Sequence, residues 1–118
     1  MDIAAYTITQ AQISKAIIDA HNRGVRVRNV MDRTQTDRKY SAATPLRNAG
    51  IDVWVTAWQG VGDGIMHHKF ATVDGETIIT DSVNWSRAGD ETNDEDSLII
   101  RGDAEMVKAY NGQYLRLN

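Results

Sequence analysis

The chain contains no cysteine, a single proline and no long apolar run. Without cysteine, disulfide bonds and thiolate-liganded zinc sites are both excluded, although either redox compartment stays open. A membrane-spanning helix requires roughly 18 or more apolar residues in succession, and no stretch approaches that length. No basic segment followed by an apolar one opens the sequence. The sequence therefore predicts a soluble protein and leaves its location undetermined.

The residues that are present suffice for one folded domain. The chain has 118 residues, 42% of them hydrophobic, so we expect residues 1–118 to form a single domain with a modest core. The net charge is -3, but residues 1–58 contain eight Lys/Arg against five Asp/Glu, and residues 59–118 contain five against eleven. The negative net charge argues against a protein that binds duplex nucleic acid through a strongly basic surface. The first half nevertheless contains a local basic cluster, formed by Arg23, Arg26, Arg28, Arg33, Arg38 and Lys39. This cluster is either a solvated surface rim or a binding site for a polyanionic substrate.

Strands are predicted where apolar and β-branched residues alternate with polar ones or form short runs. These segments are Asp2–Tyr6, Val25–Met31, Ile51–Thr56, His67–Val73, Thr77–Ser82 and Ser97–Arg101. The pair Asp74-Gly75 is typical of a tight hairpin turn between the fourth and fifth segments. Polar or glycine-rich loops are expected over Asp32–Lys39 and Ala57–Ile65, and a loop or short helix over Ser86–Asn93.

Helices are predicted where apolar residues recur at helical spacing. The first spans Gln10–Arg23, with Thr9 as its cap, Gly24 as its stop and one apolar stripe of Ile13, Ala16, Ile17 and Ala20. A weaker helix follows over Tyr40–Asn48, around Pro45. Asp103 caps a final amphipathic helix that contains Met106, Val107, Tyr110 and Leu115. Strands and helices alternate along the first half of the chain, which predicts an α/β fold with a mixed β-sheet flanked by helices.

The stretch from Met66 to Ile100 contains the residue types of a phosphate site. His67 and Lys69 are two residues apart, and Ser82 and Asn84 repeat that spacing. Because strand side chains alternate between faces, each pair shares one side. A neutral imidazole is available at neutral pH as a nucleophile, and an ammonium group beside it neutralises phosphate oxygens.

The order of these residues resembles the HKD motif of the phospholipase D superfamily. His67, Lys69 and Asp74 stand at the motif spacing, and Ser82 and Asn84 follow. The surrounding text, MHHKFATVDGETIIT and NWS, is similar to single-motif members, which include small bacterial endonucleases and Zucchini-type proteins. The resemblance in the order of elements extends over essentially the whole chain. It implies a phospholipase D-like fold from which this chain lacks an N-terminal helix and strand.

The resemblance also implies roles for individual residues. His67 would form a phosphohistidine, while Lys69, Ser82 and Asn84 would bind the phosphate oxygens without a metal or other cofactor. Glu95, in NDED, matches the carboxylate that orients the catalytic imidazole in endonuclease-like members.

Two neighbouring carboxylates and one motif residue complete this assignment. Asp94 and Asp96 are close alternatives to Glu95. Asp74 has the opposite strand parity to His67, so we expect it to be structural. Three histidines without cysteine offer no metal cage, because His67 and His68 face opposite ways and His21 lies at a helix end.

One chain supplies only half of this chemistry. In-line displacement at phosphorus needs a nucleophile on one side and an acid for the leaving oxygen on the other. A two-fold dimer brings His67 next to its symmetry copy, so we expect a homodimer with one shared site. The motif that this chain resembles normally has a small residue, usually glycine, where this chain has Asp81, from which we expect Asp81→Gly to raise the cleavage rate.

Three functions follow from these observations. The first is a metal-independent phosphodiesterase, a non-specific nuclease whose substrate is DNA or RNA. The second is hydrolysis of a phospholipid such as cardiolipin, although no amphipathic segment predicts a stable membrane anchor. The third, favoured by Asp81, is a weakened nucleic-acid or phosphate-binding module.

Overall fold

The computed structural model of the chain describes residues 1–56, 62, 64–82, 84–86 and 95–117. Within these residues the strands are β1 Asp2–Ala5, β2 Arg28–Asp32, β3 Asp52–Thr56, β4 Lys69–Val73, β5 Thr77–Asp81 and β6 Ser97–Arg101. The helices are α1 Ala11–Asn22, α2 Arg33–Thr36, α3 Ala43–Asn48 and α4 Ala104–Leu117. The loop predicted over Ala57–Ile65 and the segment Ser86–Asn93 lie largely outside the described residues.

In the described chain the strands form one mixed sheet of six, in the order β3-β2-β1-β4-β5-β6. β1, β2 and β3 are parallel, whereas β4 is antiparallel to β1, and β5 and β6 continue antiparallel. Parallel neighbours need a crossover connection, and α1 and α3 lie in the two crossovers. The predicted α/β class with a mixed sheet flanked by helices is confirmed.

Helices cover both faces of the sheet. Alternate side chains of its central strands point to opposite sides, so apolar residues on both faces have to be buried. On β1, Ile3 packs in a core with Ile17 of α1 and Leu46 of α3. The adjacent residue Ala4 packs in a second core with Tyr114 of α4. β1 is therefore buried on both faces and lies at the centre of the molecule.

The start of α1 differs from the prediction. Its N-cap is Gln10, not Thr9, and no side chain caps it. The backbone N–H groups of Thr9 and Gln10 instead donate to the carbonyl of Trp85, at 2.8 and 3.2 Å. In the predicted stripe Ile17 and Ala20 are buried, but Ala16 is exposed. A tertiary contact with Trp85 therefore fixes the segment that leads into α1.

Strand β2 also begins and ends differently from the prediction. It starts at Arg28 rather than Val25 and continues to Asp32. Asp32 then caps α2 by accepting from the N–H of Thr34 at 3.0 Å, so a helical turn stands where a loop was expected.

Helices α3 and α4 agree with the predictions in most respects. Pro45 lies in the first turn of α3, where its missing N–H costs no intrahelical bond. Asp103 caps α4 as predicted, accepting from the N–H of Met106 at 3.0 Å. The buried stripe of α4 contains Tyr114, whereas the predicted Leu115 is 61% exposed.

Candidate active site

The candidate site lies at the end of the sheet where β1 and β2 finish and β4 begins. β4 starts at Lys69, so His67 and His68 immediately precede it instead of belonging to it as predicted. The N–H of Tyr6, just after β1, donates to the carbonyl of His68 at 2.8 Å. This bond holds the approach to β4 against the centre of the sheet.

His67 and Lys69 share one side of the chain and touch. The Lys69 Nζ atom lies 2.8 Å from Nδ1 of His67 and donates to the His67 carbonyl at 2.5 Å. Lys69 is only 8% exposed, whereas the imidazole of His67 is exposed to solvent. A buried ammonium group therefore lies beside an accessible imidazole. In this arrangement Lys69 can neutralise the oxygens of a phosphate group that contacts His67.

The surroundings keep the imidazole neutral. Partial burial lowers the pKa of His67, the charge of Lys69 lowers it further, and the charge of Asp32 opposes both effects. Burial also lowers the pKa of Lys69, and Glu95 opposes that change. Because Nδ1 accepts from the ammonium group, the proton of the neutral ring lies on Nε2 in this arrangement.

Ser82 and Glu95 form a second part of the site. The hydroxyl of Ser82 donates to the Glu95 carboxylate and accepts from the N–H of Asp96 at 2.8 Å. The structure thus places Glu95 on Ser82, while Lys69 occupies Nδ1 of His67. The orienting role predicted for Glu95 stays a prediction.

Asn84 and Asp74 lie in different parts of the structure. The Oδ1 atom of Asn84 is buried and has no hydrogen-bond partner among the described residues. Asp74 lies in the turn after β4 with a φ of 55°, followed by Gly75 with a φ of 67°. These paired positive φ values define a type I′ hairpin turn, at the end of β4 remote from His67. Asp74 is thus separated from the imidazole by the length of β4, about 17 Å.

Asp81, the departure from the motif, points its carboxylate into internal contacts. It accepts from Nε1 of Trp85 at 2.7 Å and from the hydroxyl of Ser97. Trp85 in turn forms a bridge with Ile8 and packs in the core beneath α1. Asp81 therefore anchors the segment that carries Asn84.

The basic cluster predicted from the sequence is divided by β2. Arg23 and Arg26 precede β2 and lie exposed at the far end of the sheet, where they line a cavity of 530 Å³. Arg28 pairs with Asp2 through bonds of 2.8 and 2.7 Å. The α2 basic group, which we define as Arg33, Arg38 and Lys39, follows β2 at the His67 end and is exposed.

His68 faces away from His67, as the strand parity predicted. Its Nε2 atom lies 2.9 Å from Nε2 of Gln113, and its ring contacts Phe70 edge to face. Burial lowers the pKa of His68. Among the described residues no group of His, Asp and Glu is arranged to hold a metal ion.

Sequence reasoning missed two contacts of the site. The ring of Tyr6 lies against that of His67, with centroids 4.7 Å apart and planes at 55°. Asp32, 1% exposed, accepts from the N–H of Met66 at 2.8 Å. Asp32 follows directly after an apolar strand, and an acidic residue in that position is a signal from which its role as a helix N-cap could have been predicted. Nothing local distinguished Tyr6 from an ordinary strand residue.

Comparison with known proteins identifies the family. A family model described as "Cardiolipin synthase, PLD-like domain" matches residues 1–117. The chain is 36% identical over 117 residues to a mitochondrial cardiolipin hydrolase from Xenopus tropicalis, covering 99% of this chain and 53% of that protein. It is 35% identical over 111 residues to a phospholipase D from Rickettsia felis, covering 94% and 53%. The chain thus spans about half the length of the curated relatives it matches.

Solved structures give the same answer. Nuc from Salmonella typhimurium, a phospholipase D family member, superposes with a TM-score of 0.88 at 26% identity, over 98% of this chain and 74% of that one. NucT from Helicobacter pylori superposes with a TM-score of 0.86, also at 26% identity, over 98% and 76%. The chain belongs to the phospholipase D superfamily, in the family described as the PLD-like domain of cardiolipin synthase.

Proposed function

We propose that the protein is a phosphodiesterase that uses His67 as a covalent nucleophile. The observation that carries this proposal is the 2.8 Å contact between Lys69 Nζ and His67 Nδ1 at the solvent-exposed end of the sheet. His67 attacks phosphorus, the bond from phosphorus to the leaving oxygen breaks, and an acid protonates that oxygen. Water then attacks the phosphohistidine, releasing a phosphomonoester and restoring His67. Lys69 supplies the positive charge, so the proposed reaction needs no metal ion.

The resting contact between Lys69 and His67 has a consequence for substrate binding. For attack by Nε2, that atom must lose its proton and Nδ1 must gain one. We propose that the anionic phosphate draws the Lys69 ammonium away from Nδ1. The freed Nδ1 is then protonated and donates to an acceptor, for which Glu95 is the candidate. Ser82 and Asn84 bind the remaining phosphate oxygens in this proposal.

The acid for the leaving oxygen comes from a second copy of the chain in our proposal. A single His67 cannot be the nucleophile and the acid on the opposite side of phosphorus in the same step. A two-fold homodimer duplicates every group of the site and supplies the second imidazole. Sedimentation velocity at micromolar concentration is expected to show a dimer; a fully active monomer would refute the shared site.

The proposed substrate is nucleic acid, DNA or RNA. The motif resembles that of the endonuclease-like branch, and the α2 basic group lies exposed at the same end of the sheet as His67. Contacts from Lys and Arg to phosphates make binding depend on salt, with a slope of about -0.7 per phosphate for single strands. This surface favours an extended, sequence-independent polyanion over a single small phosphate.

The divided basic cluster provides a matched test of this substrate. Removing two of the three charges of the α2 basic group by Arg33→Ala and Arg38→Ala should weaken binding of single-stranded DNA and flatten its salt dependence. Arg23→Ala with Arg26→Ala removes the same charge from the far end of the sheet and serves as the control. Equal losses from both double variants would contradict a binding surface at the His67 end.

Phospholipid hydrolysis is the second candidate, because relatives at 34–36% identity include several named mitochondrial cardiolipin hydrolase. None of the helices in the described residues is long and apolar enough to span a bilayer. Cardiolipin vesicles belong in the same assay as nucleic acid.

One assay separates the three functions. Purified protein is incubated with EDTA and either plasmid, single-stranded DNA, bis(p-nitrophenyl) phosphate or cardiolipin vesicles, and His67→Ala and His21→Ala are run alongside. Cleavage of DNA that His67→Ala abolishes and His21→Ala retains supports the nuclease. Preference for cardiolipin selects the lipid hydrolase. Binding of DNA without cleavage of any substrate identifies a binding module and refutes the enzyme.

A further inference from the structure

Three residues form a connected set of contacts behind His67. The ring of Tyr6 lies against the imidazole, with centroids 4.7 Å apart. The side-chain amide of Gln35, in α2, donates to the Tyr6 hydroxyl at 2.9 Å. The aromatic ring that covers one side of the proposed nucleophile is itself held by a hydrogen bond from another element.

Asp32 joins this set from the end of β2. Its Oδ2 atom accepts from the N–H and the hydroxyl of Thr34, at 3.0 and 2.6 Å, which begins the helical turn that carries Gln35. Its Oδ1 atom accepts at 2.8 Å from the N–H of Met66, the residue before His67. One carboxylate, 1% exposed, thus fixes the backbone that leads into His67 and the helix that holds Tyr6.

We propose that Tyr6 is a positioning residue for His67, held by Gln35, and that Asp32 fixes this arrangement from the backbone side. The inference rests on the proposed role of His67 as nucleophile. The imidazole is exposed and precedes its strand, so strand pairing alone does not hold the ring. In-line attack tolerates little misplacement, since an error of about 1 Å can cost about 100-fold in rate.

The pKa of the His67 imidazole reports on the position of Tyr6, and it can be measured without substrate. Lys69 of β4 and Asp32 of β2 act in opposite directions on the imidazole, and burial lowers its pKa. The Tyr6 ring contributes to that burial by covering one side of the imidazole. Replacing Tyr6 by alanine admits water to that side, so the pKa of His67 should rise towards its ordinary value.

The test combines an NMR titration of the His67 imidazole with steady-state kinetics on bis(p-nitrophenyl) phosphate. Tyr6→Ala should lower kcat by about 10- to 100-fold, leave KM within about twofold, and raise the pKa of His67. Tyr40→Ala, which removes a tyrosine that is 72% exposed, is the control and should change neither. A Tyr6→Ala protein with unchanged kcat and unchanged His67 pKa would overturn the proposal.

A second pair of variants keeps the test decisive if Tyr6→Ala fails to fold. Tyr6→Phe and Gln35→Ala each remove the same hydrogen bond, so the double variant should lose no more kcat than either single variant. Additive losses, or no loss in either, would refute the coupling. The NMR titration tests the position of Tyr6 even if the wild type cleaves nothing. Conversely, cleavage that requires His67 but not Tyr6 would leave the proposed function standing and overturn only this inference.

Discussion

Replacing Lys69 by methionine removes the positive charge that each copy of the chain places against the phosphate in the proposed mechanism, while keeping a side chain of similar length. Lys69 is 8% exposed and its Nζ atom lies 2.8 Å from His67, so a phosphate bound to His67 falls within a few ångströms of the ammonium group. At about 4 Å and an effective dielectric constant of about 20, two unit charges interact by about 4 kcal/mol. Converted at about 1.4 kcal/mol per tenfold in rate, this sets an upper limit of about 1000-fold on kcat for each ammonium group.

The exposed imidazole reduces that limit, because solvent screens part of the interaction. Loss of one donor to a developing oxyanion costs about 100- to 1000-fold in kcat, and we expect Lys69→Met to fall in this range. The assay is steady-state cleavage of bis(p-nitrophenyl) phosphate, with Lys15→Met as the control. Lys15 pairs with Asp19 on the surface of α1, and its side chain is 76% exposed. A loss below about fivefold for Lys69→Met would refute the electrostatic argument.

The pH dependence gives the same reasoning a second check. Nitrophenolate leaves without protonation, so the profile should report His67 and Lys69 alone. Activity should rise with pH as His67 deprotonates, at a pKa below the ordinary 6.5, and fall as Lys69 deprotonates, at a pKa below 10.5. Since burial is the first cause of the lowered His67 pKa and Lys69 the second, Lys69→Met should move the acid limb upward and abolish the basic limb. An unchanged profile would contradict this assignment.

Three further variants test the scaffold, each by urea denaturation. Asp81→Gly should lower the free energy of unfolding by about 1–3 kcal/mol, because it leaves the buried Trp85 indole N–H without its acceptor; an unchanged value would show that Asp81 anchors nothing. Burial raises the pKa of Tyr114 to about 12, so the free energy of unfolding of the wild type should fall by about 2 kcal/mol between pH 10 and pH 12, because the unfolded chain ionises there before the folded one. That loss should be absent in Tyr114→Phe, and its persistence would assign it to another group. Asp103→Ala should cost about 0.5–2 kcal/mol through loss of the α4 cap, and a neutral result would contradict the capping contact.

Local patterns in the sequence were sufficient for most of the fold. Strand β6 spans Ser97–Arg101 as predicted, since a short β-branched run between polar residues needs no long-range information. The hairpin turn at Asp74-Gly75 and the cap at Asp103 follow from side-chain and backbone chemistry within a few residues. Motif spacing likewise placed His67 and Lys69 on one side, because alternation along an extended chain is a local property. That residues 1–118 form one domain stays a prediction.

The predictions were wrong at the start of α1 and at the end of β2. Thr9 does not cap α1, because the helix begins at Ala11 and its N-cap position is occupied by Gln10. Asp32 begins a helical turn instead of a loop, and it does so while also binding Met66. The bond to Met66 could not be predicted, because its partner lies far away in the sequence, whereas the cap on Thr34 is local and its signal was overlooked.

The sequence by itself determined which chemical groups this protein has and which of them share a side of an extended segment. The tertiary structure alone decided what surrounds His67, because β1 lies between β2 and β4 and so brings Tyr6 and Asp32 to the imidazole. Strand order depends on how two helical faces and a sheet bury their apolar surfaces together, and this requirement is a property of the whole chain.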